Sequence, residues 1–260
     1  MPDNAKKYFS ENKAIYISVA AAIFIFIFGV IMYHAGYRIT SRLTVGKVGT
    51  VKLEIPFPLT SVFFDAEKKV TTSKDNETVE VKLSPSKHTV IVARDGYYPW
   101  KKDMIVPSGG TVSLSPMFVS QNATGQLIMK NDPEYWNLRK EISKDTLPTK
   151  EAPRMSYDKR YTAWVEDNAI MIMQADASST GAAAKIVIQP DTLVRNLDFY
   201  KNRSDALIFS TSNAVYVIES ADEGDQNFMP IYKGTQPTFI KTDPNFLYVL
   251  DGENLMQVII

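Results

Sequence analysis

The chain has 260 residues, which is enough for one membrane span and about two modest domains. Its 29 lysines and arginines balance 29 aspartates and glutamates, so no overall charge attracts nucleic acid, and none is expected as a partner. Cysteine is absent, which excludes disulfides, thiolate metal sites and cysteine nucleophiles. The two histidines, His34 and His88, lie far apart in sequence, so no metal site and no cofactor are expected.

The first predicted element is a transmembrane helix over residues 14–36. No charged side chain lies between Ile15 and Tyr33, and at about 1.5 Å per residue this stretch spans the hydrocarbon core of a bilayer. Tyr16 lies near one end, and Tyr33 and Tyr37 lie near the other, where tyrosine prefers the headgroup level. A buried helix of a soluble protein would carry a polar stripe, and a cleaved signal peptide would be shorter. The segment is therefore interpreted as an uncleaved anchor.

The orientation of this helix follows from the layout of the chain rather than from charge. Lysines and arginines flank both ends in similar number, so the positive-inside rule is nearly balanced. A short N-terminal tail before a long C-terminal part is the usual arrangement of a signal anchor. We therefore predict that residues 1–13 form a cytoplasmic tail. The chain would then cross the cell membrane once, and residues 14–36 would lie in the bilayer. The C-terminal domains would be extracytoplasmic.

A linker over residues 37–47 and a small β-sandwich over residues 48–119 are predicted next. The linker is polar and basic. Beyond it, apolar residues alternate in short runs, such as Val51, Leu53 and Ile55, and turn residues separate the runs. Alternation with period two is typical of half-buried strands.

One part of this region resembles a known family. The stretch LSPSKHTVIVARDGYYPWKKDMIVPSGGTVSLSPMF has His88 before a strand, the pair Gly96-Tyr97 after it, and a turn at Gly109-Gly110. It resembles the second half of a PEGA domain. The tetrapeptide that names the family is replaced here by PLTS, and the glycine of an earlier turn is replaced by serine. The resemblance implies a small extracytoplasmic β-sandwich at the cell surface, without enzymatic activity.

Three aromatic residues in this region, Tyr97, Tyr98 and Trp100, are the candidate surface-binding residues. Exposed rings of this kind could stack on a carbohydrate. The competing interpretation is favoured: alternate rings cap the core of the sandwich, and the others lie on its surface.

Residues 120–153 are predicted to be a polar connector with a short helix around 134–143, and residues 154–260 contain an internal repeat. Each repeat is an apolar strand, a polar turn and a second apolar strand. The turns contain Asn168, Asn213 and Asn254, which are 45 and 41 residues apart. A hairpin repeated at about 40–45 residues is typical of a β-propeller blade, and asparagine tolerates the positive φ of tight hairpins. The repeated segments are RYTAWVEDNAIMIM, DALIFSTSNAVYVI and NFLYVLDGENLMQVI.

The repeat region is similar to the blades of TolB-like and WD-type propellers. About three blades are fewer than closed propellers usually have, and the last residues, 256–260, form an apolar strand that would leave a bare sheet edge. Three alternatives remain: the connector supplies missing strands, another chain supplies them, or the propeller is incomplete. The fold class is therefore mainly β, with an N-terminal transmembrane helix, a small sandwich and propeller-like antiparallel repeats.

The motifs do not indicate catalysis. The acidic loop 222–227 lacks the order of a calcium loop, and no phosphate-binding loop, GxSxG or HExxH motif is present. We predict a membrane-anchored binding or structural protein of the cell envelope, not an enzyme, with an unknown envelope protein or cell-surface polymer as partner. The alternative is a cell-wall-directed hydrolase or carbohydrate-active enzyme on a propeller-like scaffold, which would need carboxylates that converge. A sensor is disfavoured because the tail is short.

Overall fold

The computed structural model describes residues 13–39, 45–122, 124–176, 183–220 and 226–260. Within these ranges the fold is mainly β, with two α-helices and 21 strands. Contacts between residues divide the chain into two compact units. Unit 1 draws its described residues from Met1–Pro56, Asn76–His88 and Ile105–Ser115, and unit 2 draws them from Phe57–Asp75, Thr89–Met104 and Pro116–Ile260.

Unit 1 begins with helix α1, which covers Lys13–His34. Its segment Ile15–His34 has a mean hydropathy of 2.7 and is long and apolar enough to cross a membrane. The predicted N-terminal apolar helix is therefore confirmed, and its ends agree with the predicted range 14–36 to within two residues. The predicted tail, 1–13, lies outside the described residues except for Lys13.

A short hairpin follows α1 in the segment that was predicted to be a linker. Gly36 reverses the chain with a φ of +87°, a conformation that glycine adopts without steric cost. Strand β1 (Tyr37–Ile39) then pairs antiparallel with β2 (Val45–Lys47). The N–H of Val48 donates to the carbonyl of Gly36 at 2.8 Å, so the end of the hairpin is tied back to the end of the helix.

The sheet of unit 1 has the order β6-β3-β9, with β3 at Gly49–Ile55, β6 at Glu77–Leu83 and β9 at Thr111–Leu114. Strand β3 pairs antiparallel with β6 and parallel with β9. Val51, Leu53 and Ile55 are buried, and the residues between them are more exposed. The predicted alternation of this strand is therefore confirmed.

A second sheet lies mostly in unit 2 and has the order β5-β4-β7-β8. Strand β4 pairs antiparallel with β5 and β7, and Val62, Phe64 and Val90 are buried. The contacts place this sheet and the β6-β3-β9 sheet in different units, so the β-sandwich over 48–119 stays a prediction. The strands are β4 (Ser61–Phe64), β5 (Glu67–Thr71), β7 (Lys87–Ala93) and β8 (Trp100–Ile105).

The remainder of unit 2 forms three four-stranded antiparallel sheets and helix α2, which covers Tyr135–Lys144. The first sheet is β11 (Arg154–Met155), β12 (Tyr161–Glu166), β13 (Ala169–Gln174) and β14 (Lys185–Ile188). The second is β15 (Asn196–Phe199), β16 (Ala206–Ser210), β17 (Ala214–Glu219) and β18 (Phe228–Lys233). The third has the order β10-β21-β20-β19, with β10 at Thr124–Ile128, β19 at Thr238–Asp243, β20 at Phe246–Asp251 and β21 at Asn254–Ile259.

The three repeated hairpins of the sequence are the central strand pairs of these sheets: β12–β13, β16–β17 and β20–β21. The role given to the asparagines holds only for the first turn, where Asp167 and Asn168 both have positive φ. In the third turn Gly252 has the positive φ. Asn213 and Asn254 are not among the positive-φ residues of the described chain.

Apolar side chains hold these sheets together. One core cluster combines side chains of β12–β14 with side chains of β15–β17, and Leu197, Leu207 and Phe209 are fully buried in it. A second cluster packs Tyr135 and Ile142 of α2 against the third sheet. Strand β16 is buried along its whole length, which is typical of a strand covered on both faces.

The connector supplies the strand that the end of the chain needs. β10 pairs with β21 along its whole length, from Thr124↔Ile259 to Ile128↔Leu255, and β20 pairs with the other edge of β21. Strand β21 is therefore not a bare edge. Of the three alternatives left by the sequence, the connector provides the partner of this strand.

Replacement of Gly125 by alanine is expected to lower the free energy of unfolding by about 1–3 kcal/mol, because overpacking strains the structure by that amount. A Cβ at this position would meet the backbone of Gln257 and Val258, neither of which can move aside as a side chain can. Chemical denaturation of the full chain in detergent, followed by far-UV circular dichroism, measures the effect. Thr124→Ala at the exposed neighbouring position is the control, and equal stability of the two variants would contradict the close pairing.

Candidate functional site

Trp100 lies at the start of β8 and is not on the surface. Its side chain is 3% exposed, and its indole N–H donates to the Oε1 atom of Glu219 at 2.6 Å. Glu219 ends β17 and is itself buried, with Lys102 3.5 Å from its Oε2 atom. A buried carboxylate is stable only when hydrogen bonds or cations surround it, and these two partners meet that need.

Asn227 completes this contact. Its side-chain amide pairs with the backbone of Lys101, accepting from the N–H at 2.9 Å and donating to the carbonyl at 2.8 Å. The same amide nitrogen donates to Oε2 of Glu219 at 2.9 Å. We name these residues (100–102, 219 and 227) the β8–β17 junction. Its geometry fixes the start of β8 against the second sheet. Trp100, one of the three candidate surface-binding residues, is buried here, as the favoured interpretation expects of alternate rings.

Tyr97 and Tyr98 are half-buried. The ring of Tyr97 lies 5.5 Å from Phe57 and 5.9 Å from Phe118, and the guanidinium of Arg94 lies 4.9 Å from the centre of the Tyr97 ring. Part of the Tyr97 ring is therefore already in contact with neighbouring side chains. A binding role for these two tyrosines stays a prediction.

A second group of polar side chains lies where edge strands of the three sheets, β11, β15 and β19, come together. β15 contacts both β11 and β19. Arg154 of β11 forms an ion pair with Asp145, which follows α2, and its Nε donates to the carbonyl of Leu197 at 3.4 Å. The side-chain amide of Asn196 donates to Asp145 at 3.1 Å and to the carbonyl of Phe239. We name Asp145, Arg154, Asn196, Asp198 and Lys241 the inner-strand cluster.

Lys241 contacts Asp198 and two backbone carbonyls on the other side of this cluster. Its ammonium group donates to the carbonyls of Phe199 and Lys201 at 2.5 and 2.9 Å and lies 3.7 Å from Oδ1 of Asp198. Burial raises the pKa of Asp198, and Lys241 lowers it in part. Burial also lowers the pKa of Lys241, and Asp198 opposes that change. Both shifts have the same cause, since each charged group is largely removed from water.

The contacts of the inner-strand cluster link strands of different sheets. Two carboxylates, those of Asp145 and Asp198, belong to the cluster. Arg154 forms an ion pair with Asp145, and the ammonium group of Lys241 lies 3.7 Å from Asp198. Within the described residues, no group of three or more His, Asp or Glu side chains could hold a metal ion. Four of the six residues of the acidic loop 222–227 lie outside the described residues.

The chain matches no protein-family model and no curated protein. The resemblances to the PEGA domain and to propeller blades therefore rest on the residues quoted above and stay predictions.

Sequence reasoning missed both polar groups. Their members are far apart in the chain: Trp100 and Glu219 are 119 residues apart, and Asp145 and Asn196 are 51 apart. One local signal was present, because Glu219 ends the apolar run AVYVI in a strand whose pattern predicts burial. A carboxylate at the end of a buried strand indicates a partner, although the sequence does not name it.

Proposed function

We propose that the chain is a single-pass membrane protein whose β sheets lie outside the cytoplasm and bind an envelope protein or a cell-surface polymer without transforming it. The observation that carries this proposal is the exposure of six consecutive apolar residues of α1, Ile23 to Phe28, each between 51% and 73% exposed. Successive helical residues point about 100° apart, so these side chains cover every face of the helix. Such a surface is favourable in hydrocarbon and costly in water.

The end of α1 supports a membrane boundary near His34. The guanidinium of Arg38 lies 3.7 Å from the centre of the Tyr33 ring, and its Nη1 donates to the carbonyls of Tyr33 and Tyr37 at 2.9 and 2.8 Å. A cation at a helix C-terminus satisfies carbonyls that have no helical partner. Tyrosine and arginine together are typical of the headgroup level.

The β region is the binding part of the proposal. We interpret the three four-stranded sheets as propeller-like blades around the inner-strand cluster, because β15 adjoins the edge strands β11 and β19 of the other two sheets and β10 extends the third sheet. We interpret the sheets of residues 48–119 as a PEGA-like sandwich, because β3 and β7 bury alternate residues. Rigid sheets would present their loops at a fixed height, and the helix would confine the search for a partner to two dimensions.

The proposed protein binds its partner without cleaving it, whereas the hydrolase alternative requires catalytic carboxyl groups. Hydrolysis of a glycosidic bond needs one carboxyl group as an acid and a second as a base or nucleophile. In the inner-strand cluster the carboxylates of Asp145 and Asp198 lie beside Arg154 and Lys241 and help to join the sheets. This arrangement favours a structural role.

Labelling of single cysteines tests the orientation. The chain has no cysteine, so Ser10→Cys in the tail and Ser212→Cys in the exposed turn between β16 and β17 each introduce one reactive thiol. A membrane-impermeant maleimide applied to intact cells is expected to label S212C, and to label S10C only after the membrane is opened. Labelling of S10C alone on intact cells would reverse the proposed orientation.

Capture of envelope material tests binding. The full chain in detergent is expected to retain an envelope protein or cell-wall polymer, and Tyr98→Ser is expected to weaken retention if the predicted aromatic residues take part. Tyr157→Ser, at an exposed tyrosine elsewhere in unit 2, is the matched control. Release of soluble fragments from the captured polymer would support the hydrolase alternative instead.

A further inference from the structure

A groove of about 470 Å³ lies beside the C-terminal end of α1. Phe28, Gly29 and Tyr33 of the helix line one part of it, and Arg38 and Val45 of the β1–β2 hairpin line another. All of these residues belong to unit 1. The hairpin therefore runs beside the last turns of the helix and leaves a space between them.

Gly29 keeps the floor of this groove open. A Cβ placed on Gly29 would have no neighbouring atom within 4 Å, so a larger residue would occupy the space without a clash. Phe28 lies six residues before His34, which is about 9 Å along the helix axis. The groove therefore extends from a depth where acyl chains lie, on the proposed membrane placement, to the level of the headgroups.

Arg38 supplies the charge at the headgroup end. Its Nη1 atom donates hydrogen bonds to the carbonyls of Tyr33 and Tyr37, and these two bonds fix the plane of the guanidinium. Among the described residues, the other donors of this group, on Nε and Nη2, have no partner. Two adjacent N–H groups of a fixed guanidinium match the oxygens of a phosphate.

We propose that this groove binds one membrane phospholipid, with an acyl chain along Phe28 and Gly29 and the phosphate on Arg38. The proposal rests on the proposed membrane anchor and adds a specific lipid to it. An acyl chain would cover apolar side chains that the described chain leaves exposed, among them Phe28 at 55% and Val45 at 62%. The phosphate would neutralise Arg38, the one cation among the described residues that line the groove.

Native mass spectrometry of the full chain, purified in detergent and stripped of lipid, tests the proposal. The probes are phosphatidylglycerol and a diacylglycerol with the same acyl chains, which lacks only the phosphoglycerol headgroup. We expect one phosphatidylglycerol per chain, bound about tenfold or more tightly than the diacylglycerol, as a charge-assisted pair of hydrogen bonds implies.

Three variants complete this test. Arg38→Gln is expected to weaken binding of phosphatidylglycerol by about tenfold or more, and Gly29→Leu is expected to abolish binding of both lipids by filling the groove. Lys13→Gln, at the opposite end of α1, is the control for general attraction of anionic lipid and is expected to change binding by less than about twofold. Circular dichroism confirms that each variant is folded.

Several results would overturn the proposal: equal binding of the two lipids, full binding by R38Q, or the same loss in K13Q as in R38Q. Extraction of membranes with alkaline carbonate separates a failure of the groove from a failure of the anchor. R38Q should stay in the membrane pellet if the anchor is correct, whatever its lipid binding. Release of the wild-type chain from the pellet would contradict the anchor itself.

Discussion

Replacement of Trp100 by alanine is expected to lower the free energy of unfolding by about 3–5 kcal/mol, the usual loss for a large buried aromatic ring. The substitution leaves a cavity and also removes the hydrogen-bond donor that Glu219 meets at 2.6 Å. Denaturation of the full chain in detergent, followed by far-UV circular dichroism, measures the loss. The opposite interpretation, in which Trp100 is a surface contact, predicts lost binding with little change in stability.

Two further variants make this result specific. Trp136→Ala removes an indole that is 62% exposed and is expected to change stability by less than about 1 kcal/mol. Trp100→Phe keeps most of the ring but not the N–H, and is expected to cost about 1–3 kcal/mol because Glu219 loses a buried donor. Similar stability of W100A and W136A would show that Trp100 is not held in the β8–β17 junction.

Replacement of Lys241 by methionine is expected to lower the free energy of unfolding by about 2–3 kcal/mol at pH 7, less than for a fully buried ion pair because the cluster is partly open to water. The variant leaves the carbonyls of Phe199 and Lys201 without their donor, and Asp198 without its cation. The loss is expected to shrink as the pH falls from 7 to 5. Chemical denaturation of wild type and variant across this range measures the difference.

The sign of this pH effect follows from Asp198. Burial raises the pKa of Asp198 in the folded protein, and Lys241 counteracts part of that shift, so the variant raises the pKa further. A carboxyl group whose pKa is raised by folding binds a proton more tightly in the folded protein than in the unfolded chain. K241M therefore gains stability as the pH falls through the raised pKa of Asp198, and its deficit relative to wild type shrinks. The double variant D198N/K241M should show no such dependence. A constant loss in K241M at every pH would contradict the assignment.

The apolar helix and the three repeated hairpins were predicted from sequence because their signals are local. An uncharged run from Ile15 to Tyr33 is a strong signal for α1, and two apolar runs of five or six residues separated by a short polar turn indicate a hairpin. The short helix predicted around 134–143 is α2, one residue later at each end. Each of these elements is decided by residues next to one another in the chain.

The elements that sequence reasoning missed are short or exposed. The strand β10 reads TGQLI. Four of its five residues are exposed, and one of these is a glycine, so its periodicity is weak. Its partner β21 lies far along the chain. Strands β1 and β2 have three residues each, too few to show a period, and were predicted to be a linker. Pairing partners at long range are set by the whole fold rather than by the strand itself.

The polar groups of unit 2 could be predicted only in part. Tyr97, Tyr98 and Trp100 were recognised as a group, but of the three only Trp100 is buried. The carboxylate that accepts its hydrogen bond comes from β17, far along the chain, so the sequence around Trp100 does not show this contact. The inner-strand cluster draws on the residue that follows α2 and on three separate sheets, so no spacing in the sequence indicates it. Buried charges of this kind are recognisable once the strands that carry them are placed.

Extraction of membranes with alkaline carbonate tests most directly whether α1 holds the β sheets to a bilayer. Carbonate strips proteins that adhere to a membrane by charge and leaves those that cross it. The full chain is expected to remain in the membrane pellet, since lipid tails would cover the apolar side chains that α1 exposes. Recovery of the intact chain in the soluble fraction would contradict the anchor and the function proposed from it.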